Sequence, residues 1–234
     1  MASTLALGAC TSSSTGGIVP QPSPSPSAAV SPSPSPSPAV PTPPPGPTPT
    51  PRVLFAGNLI GSQVFPNGDT VPPGGSGQTI DGTLACGPVN QTFHIHSHLS
   101  LWHNGVQIAL PTALGIPGGT SFITTVNGGP YTNNGTCFYN LHTHDSSGIV
   151  HIEAPAATSF NLGQVFDIWG QPLTVGNVAG FIGPTLIYVD STETPAQATL
   201  YTGDPRAIVL SNHQQITIEV GGPYVYPLFY TWNY

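Results

Sequence analysis

The chain has 234 residues and a formal net charge of −7; only 5% of its residues are charged, and Arg52 and Arg206 are its only strong bases. Binding to nucleic acid or to anionic lipid headgroups depends on clustered lysine and arginine, so the composition excludes both as charge-held partners. No run of residues approaches the ~20 apolar residues that a membrane-spanning helix needs.

The first ten residues contain a short apolar segment that ends in a cysteine, Leu5 to Cys10. This segment resembles the lipobox of bacterial lipoproteins, in which the cysteine carries the lipid and becomes the first mature residue. The resemblance implies lipidation of Cys10 and export to the cell surface or periplasm, with the membrane contacted only through the lipid. Residues 1–10 lack the basic region and the length of a whole signal peptide, so we expect the signal to begin upstream of Met1.

Residues 11–52 consist almost entirely of Ser, Pro, Thr, Ala and Gly. Proline removes backbone donors and serine offers no apolar surface, so this segment cannot form a core. We predict a disordered, extended linker whose reach is on the order of 100 Å at ~3.1 Å per residue.

The chain has three cysteines. If Cys10 is lipidated, Cys86 and Cys137 remain as a pair in an oxidising compartment, which favours a disulfide. The alternative is that one of these two is a thiolate ligand of copper.

Residues 53–234 are predicted to form a single all-β domain, sandwich-like or barrel-like, with one short helix. Short β-like runs alternate with Gly, Pro and Asn, whereas helical periodicity occurs only at 160–169, where Ser159 could cap a helix and Gly170 could end it. The predicted strands are 53–56, 59–65, 92–103, 106–111, 121–126, 137–144, 149–154, 185–190, 198–201 and 214–221.

Six of the eight histidines lie in two hairpins at positions whose strand parity lets them converge. Asn104-Gly105 is a strong two-residue turn signal between 92–103 and 106–111. On the first strand, side chains alternate, so the histidines at 94, 96 and 98 share one face, while Phe93, Ile95, Leu99 and Leu101 face a core. Three ligands on one strand are too widely spread for one ion, so one of them should have another role.

In the second hairpin, a two-residue loop at Ser146-Ser147 would place His142 directly opposite His151, with Glu153 on the same face. A three-residue loop would instead bring Thr143 opposite His151. If the two hairpins meet, their histidine faces can surround one transition-metal ion, and copper and zinc are the leading choices. The predicted metal ligands are His94, His96, His98, His142, His144 and His151.

The remaining polar residues near these hairpins have other predicted roles. We expect His103 and His213 to be structural, although His213 could be a remote ligand. Asp145 is expected to be a turn residue. Glu153 is the candidate catalytic base, or an acceptor that orients His151.

The motifs His94-x-His96-x-His98 and His142-Thr143-His144-Asp145 followed by His151 resemble those of a group of exported bacterial proteins that have no assigned activity. The likeness covers most of 80–221 and implies a shared domain without a function. The His-x-His strand is also similar to metal strands of cupins, α-carbonic anhydrases and multicopper oxidases, but a second motif of each is missing.

Three functions remain open at this stage. The first is a surface-anchored protein that binds copper or zinc. The second is a metal-dependent hydrolase or oxidase, which needs an open coordination position and a general base. The third is a non-metal adhesion or scaffold module with structural histidines.

Overall fold

The computed structural model describes residues 51–55, 57–61, 63–64, 74–89, 92–119, 122–124, 130–190 and 198–233. The predicted lipobox and nearly all of the predicted linker lie outside the described residues. The predicted domain boundary at residue 53 lies beside the first strand, which begins at Arg52. Within the described part of the chain, no helix has the length and apolar character needed to cross a membrane.

The fold is all-β with one short helix, as predicted. The helix α1 spans Leu162–Trp169, and a single 3-10 turn covers Pro205–Ala207. The strands are β1 Arg52–Leu54, β2 Gln63–Val64, β3 Cys86–Gly87, β4 Phe93–His103, β5 Val106–Ala109, β6 Phe122–Thr124, β7 Pro130–Thr132, β8 Phe138–Tyr139, β9 Leu141–His142, β10 Ile149–Ala154, β11 Leu173–Thr174, β12 Asn177–Val178, β13 Phe181–Ile182, β14 Thr185–Asp190, β15 Thr199–Leu200, β16 Gln214–Val220 and β17 Tyr230–Trp232.

An eight-stranded sheet organises the domain, with β4 at its centre. Its main path runs β15-β14-β16-β4-β10-β9, while β5 pairs with β4 and β2 pairs with β5. One edge of β4 pairs in parallel with β16, and the other edge pairs antiparallel with β10 and then with β5. Four smaller sheets complete the described structure: β1-β17, β11-β12-β13, β3-β8 and β6-β7.

The predicted alternation along β4 is confirmed. Leu99 and Leu101 are 3% and 0% exposed and belong to the main hydrophobic core, against which Phe93 and Ile95 also pack. Strands β10, β14 and β16 add apolar side chains to the same face, and the buried face of α1 covers it. The sheet therefore has one apolar face, and His94, His96, His98, His142 and His151 lie on the other.

Helix α1 ends at Gly170, as predicted, but does not begin after Ser159. Gly170 adopts a left-handed conformation with φ 73°, and its N–H is donated to carbonyls of the last turn. At the other end, Asn161 is extended and accepts from the Gln164 N–H, while Gln164 accepts from the Asn161 N–H. This reciprocal capping box makes Asn161 the cap instead of Ser159.

Both predicted hairpin turns are present. Asn104 and Gly105 have φ of 50° and 76°, and their turn brings His103 opposite Val106. Positive φ at both central residues matches the turn that suits the twist of antiparallel strands. In the second hairpin His142 lies opposite His151, as predicted, but β9 ends at His142 and β10 begins at Ile149, so residues 143–148 form the connection instead of Ser146-Ser147 alone.

Replacing Gly148 with alanine is expected to lower the free energy of unfolding by roughly 1–3 kcal/mol. Gly148 has φ +85°, and a Cβ there would lie 2.5 Å from the Leu99 carbonyl oxygen and 2.8 Å from His98 Nε2. The matched control is Gly87→Ala, since a Cβ at Gly87 meets no described atom within 4 Å. Urea denaturation measures both variants, and equal losses would show that the Gly148 turn is not the constrained position.

The second face of the central sheet is polar and is covered by the C-terminal segment. Gln215 donates to the Tyr230 carbonyl and accepts from the Tyr230 N–H, each at 2.8 Å. Gln107 donates to the Tyr230 hydroxyl at 2.8 Å. Both glutamine side chains are buried, and their amides supply hydrogen bonds to Tyr230 of the covering strand β17.

Glu219, on the same face, gives the domain a pH-dependent stability. Its side chain is buried, one oxygen accepts from the Val225 N–H at 2.7 Å, and burial raises the pKa of the carboxyl to about 7. A carboxyl with a raised folded-state pKa contributes stability that is fully present below its unfolded value, near 4.5, and is lost as the pH rises through 7.

We therefore expect Glu219→Gln to raise the free energy of unfolding at pH 8 by on the order of 2 kcal/mol relative to wild type, with little difference at pH 4. Chemical denaturation across this pH range measures the effect. Parallel stability-versus-pH curves for the two proteins would contradict the assignment of this dependence to Glu219.

Candidate metal centre

Three neighbouring strands place imidazoles side by side on the polar face of the sheet. His151 on β10 lies opposite His96 on β4 and opposite His142 on β9. One rung along, Glu153 lies opposite His94. Strands β4 and β9 are thus not neighbours, because β10 lies between them and supplies the central imidazole, that of His151. This row follows directly from the period-2 alternation on each strand.

On the solvent side of the row, the imidazole nitrogens are very close together. His151 Nδ1 lies 3.1 Å from His96 Nε2 and 3.2 Å from His94 Nε2. His94 Nε2 also lies 3.3 Å from Glu153 Oε1. Two ligands that each bind a tetrahedral zinc at 2.0–2.1 Å are separated by about 3.4 Å. These separations therefore match those of ligands that share one ion.

On the interior side, His142 faces the carboxylate of Glu153. His142 Nδ1 lies 2.9 Å from the Tyr139 carbonyl oxygen, which can only accept, so this nitrogen carries the proton. The unprotonated Nε2 lies 3.8 Å from Glu153 Oε1, which is too long for a hydrogen bond. Within the described residues, His142 Nε2 and Glu153 Oε2 are buried without a hydrogen-bond partner.

His144 is held in the same way by a short strand that sequence analysis did not predict. Its Nδ1 lies 2.6 Å from the Thr132 carbonyl of β7, and the Thr132 N–H donates to the His144 carbonyl at 2.7 Å. Tyr131 stacks on the His144 ring at 4.9 Å. The backbone fixes the tautomer, so that Nε2 is left as the free ligand atom, which is typical of metal-binding histidines.

Burial keeps these histidines neutral near pH 7. Burial, together with the smaller effect of the neighbouring imidazoles, lowers the pKa of His96 and of His142 to about 3. Burial also lowers the pKa of His151 well below its usual value. A neutral imidazole offers a lone pair, which is the form that binds a metal.

The side chains form two overlapping groups that could each hold a metal ion. The first consists of His142, His144, His151 and Glu153, and the second consists of His94, His96 and His151. Within each group the ligand atoms lie within 4.8 Å of one another. Five of the six predicted ligands are thus brought together.

His98, the sixth predicted ligand, belongs to neither group. It lies four residues from His94, about 13 Å along an extended strand. Its Nε2 lies 2.9 Å from the Ser147 carbonyl oxygen, and its ring packs on Tyr230 at 4.0 Å between ring centres. His98 is therefore too far from His94 to share an ion with it, and it has a structural role beside the hairpin turn.

The other two histidines lie outside both groups. His103 stacks on Phe181 at 4.3 Å, at the far end of β4. His213 stacks on Trp232 at 4.9 Å, and its backbone N–H donates to the His96 carbonyl at 2.7 Å. His213 thus supports the strand that carries His96 without joining a ligand group.

Two acidic residues near the row have different surroundings. Asp145 accepts from the Ser147 N–H at 2.9 Å and from the Gly57 N–H, as expected for a turn residue. Glu153 Oε1 lies 4.0 Å from His151 Nδ1, so it does not orient that ring through a hydrogen bond. Glu153 is instead a member of the first ligand group. Glu153 follows His151 by two residues on β10, and this spacing was the sequence signal that the two side chains share a face.

The disulfide between Cys86 and Cys137 is present, and its sequence separation is 51. It joins β3 to the start of β8, where Cys86 pairs with Tyr139. The residue after Cys137 is Phe138, whose ring lies edge-on to His142 at 5.5 Å. The disulfide therefore fixes the segment that leads into the interior ligands, and neither cysteine is a free thiolate.

No protein-family model, no curated protein and no solved structure matches this chain.

Proposed function

We propose that this protein is an exported, lipid-anchored metal-binding protein that holds one copper or zinc ion through its histidine cluster. The observation that carries the proposal is the buried contact between His142 and Glu153. The unprotonated Nε2 and the carboxylate face each other at 3.8 Å. Two electron-rich groups in a buried site repel unless a proton or a metal ion lies between them. A metal ion bound to both removes this conflict.

The donor chemistry favours Zn(II) and Cu(II). Imidazole and carboxylate are ligands that both ions accept, with zinc bound at about 2.0–2.2 Å. Soft ligands that select Cu(I) are not part of the cluster: Met1 is the only methionine, and the two cysteines near the cluster form the disulfide. The site would therefore prefer the divalent ions.

The number of donors supports metal binding more than catalysis. Catalytic zinc sites use three protein ligands and leave one position open for water or substrate. The group that contains Glu153 offers three imidazoles and one carboxylate, which fill the four positions of a tetrahedral zinc site. A metal ion in this group has no need of a water ligand, so the cluster suits capture and retention better than hydrolysis or oxidation.

Electron paramagnetic resonance of the chain with one equivalent of Cu(II) tests this proposal. We expect a single species with hyperfine coupling to several imidazole nitrogens. The His96→Ala/His142→Ala double variant should lose this signal. A spectrum of hydrated Cu(II) in wild type, or a spectrum that the double variant leaves unchanged, would overturn the proposal. Ester hydrolysis by the Zn(II)-loaded chain should not exceed that of the chelator-treated chain.

Anchoring at the membrane is the second part of the proposal. It is supported by the lipobox-like segment ending at Cys10, by the Ser/Pro-rich residues 11–52 and by a disulfide, which persists in oxidising compartments. With a lipoprotein signal supplied upstream in a bacterial host, wild type should fractionate with membranes. Cys10→Ala should be released, and membrane retention of that variant would contradict lipid anchoring.

A further inference from the structure

The cluster is graded from solvent to interior. The His94 side chain is 27% exposed and that of His151 is 15% exposed, whereas His142 and Glu153 are 0% and 4% exposed. We call His94 and His96 the loading pair, and His142, His144 and Glu153 the buried set. An ion from solution can reach the loading pair first.

His151 belongs to both groups, and its Nδ1 faces both sides. This atom is 3.1 Å and 3.2 Å from the nitrogens of the loading pair, and 4.0 Å from Glu153 Oε1 in the buried set. An imidazole nitrogen has one lone pair and binds one metal ion at a time. The two groups therefore cannot be filled at once through this nitrogen, and they are alternative positions for a single ion.

Glu153 lies between the two positions. Its Oε1 is 3.3 Å from His94 Nε2 and 3.8 Å from His142 Nε2. An ion that leaves the loading pair can therefore gain the carboxylate before it loses its bond to His94. At each stage of such a movement the ion keeps His151 as a ligand.

We propose that the loading pair is an entry site, from which a metal ion passes to the buried set while it stays bound to His151. The inference rests on the proposed metal-binding function. The bonds from the ion to His94 and His96 break as bonds to His142, His144 and Glu153 form, with no change in oxidation state. His94 accordingly governs how fast the ion enters and leaves, while the buried set determines how tightly it is held.

Stopped-flow measurement of Zn(II) uptake from a chromophoric chelator, and of its release to a competing chelator, tests this inference on the full chain. In His94→Ala we expect both rates to fall by about 10-fold, with the affinity changed by less than about 3-fold. A residue that contributes only to the path of the ion must change the rates of uptake and release by the same factor, because the affinity is the ratio of these two rates. The matched control is His103→Ala, on the same strand, which should change neither rate.

The outcomes separate this inference from the proposed function. Absence of Zn(II) uptake by folded wild type would overturn both. If wild type takes up Zn(II) but His94→Ala releases it faster and binds it more weakly, His94 is an ordinary ligand of the final site. The proposed transfer from the loading pair is then wrong. Unchanged rates in His94→Ala would also overturn it, while leaving the metal-binding function intact.

Discussion

A His142→Ala variant is expected to bind Zn(II) more weakly than wild type by a factor of at least about 100. Mutation of an outer-shell group alone typically costs 10–100-fold in metal affinity, and this substitution removes a direct ligand. It also leaves the Glu153 carboxylate facing an empty interior space instead of an imidazole. The residual binding should come from His151 with the two histidines on the solvent side. Competition titration against a chelator of known affinity measures the change.

The control for this prediction is His103→Ala, which removes an imidazole from the far end of β4, where it stacks on Phe181. This variant should bind Zn(II) as wild type does. Circular dichroism shows whether each variant is folded, and His144→Ala provides a second test if His142→Ala is not. Equal affinity of folded wild type and folded His142→Ala would contradict the assignment of a ligand to β9.

Removal of the disulfide in a Cys86→Ser/Cys137→Ser variant is expected to lower the free energy of unfolding by about 4 kcal/mol. The bond closes a loop with a sequence separation of 51 residues, and the chain-entropy model gives about this value for a loop of that length. Because the bond also anchors the segment before His142, the variant should bind Zn(II) more weakly at a temperature where it is still folded.

Cys10→Ser is the matched control, since the same substitution at the remaining cysteine should leave stability unchanged. Urea denaturation of the oxidised proteins gives the free energies, and the same titration gives the affinities. A loss of stability below about 1 kcal/mol would mean that the 51-residue loop is restrained by its packing and not by the bond.

Local patterns in the sequence were sufficient for several parts of this structure. The alternation along 92–103 predicts which side of β4 carries Leu99 and Leu101 and which side carries the histidines. The Asn104-Gly105 turn follows from its residue types, and the pairing of His142 with His151 follows from the strand alternation. The disulfide follows from the number of cysteines. Each of these depends on neighbours in the chain or on a simple count.

Other features depend on contacts between distant segments, which local patterns do not encode. Strand β16 lies parallel to β4, although more than a hundred residues separate them, and no turn signal specifies such a pairing. The Thr132 carbonyl that fixes His144 belongs to a strand of three residues that has no clear alternation. The ring contact of His98 with Tyr230 also depends on a distant segment, because the C-terminal segment covers the polar face.

The polar face also explains how a domain with so few charges can bury its histidines. Gln107 and Gln215 satisfy the backbone and hydroxyl of Tyr230, while the carbonyls of Tyr139 and Thr132 satisfy one nitrogen of each interior imidazole. What remains after these hydrogen bonds is a set of convergent lone pairs. Backbone carbonyls thus prepare the ligands, and the sheet register brings them together.

Metal analysis of the chain, purified without a histidine tag, tests the central claim most directly. The protein is equilibrated with Cu(II) and Zn(II), free ion is removed, and bound metal is measured per chain together with the His96→Ala and His142→Ala variants. The predicted result is one tightly held ion per wild-type chain, which His96→Ala keeps and His142→Ala loses. A folded, monodisperse wild-type sample that retains no metal would contradict the claim.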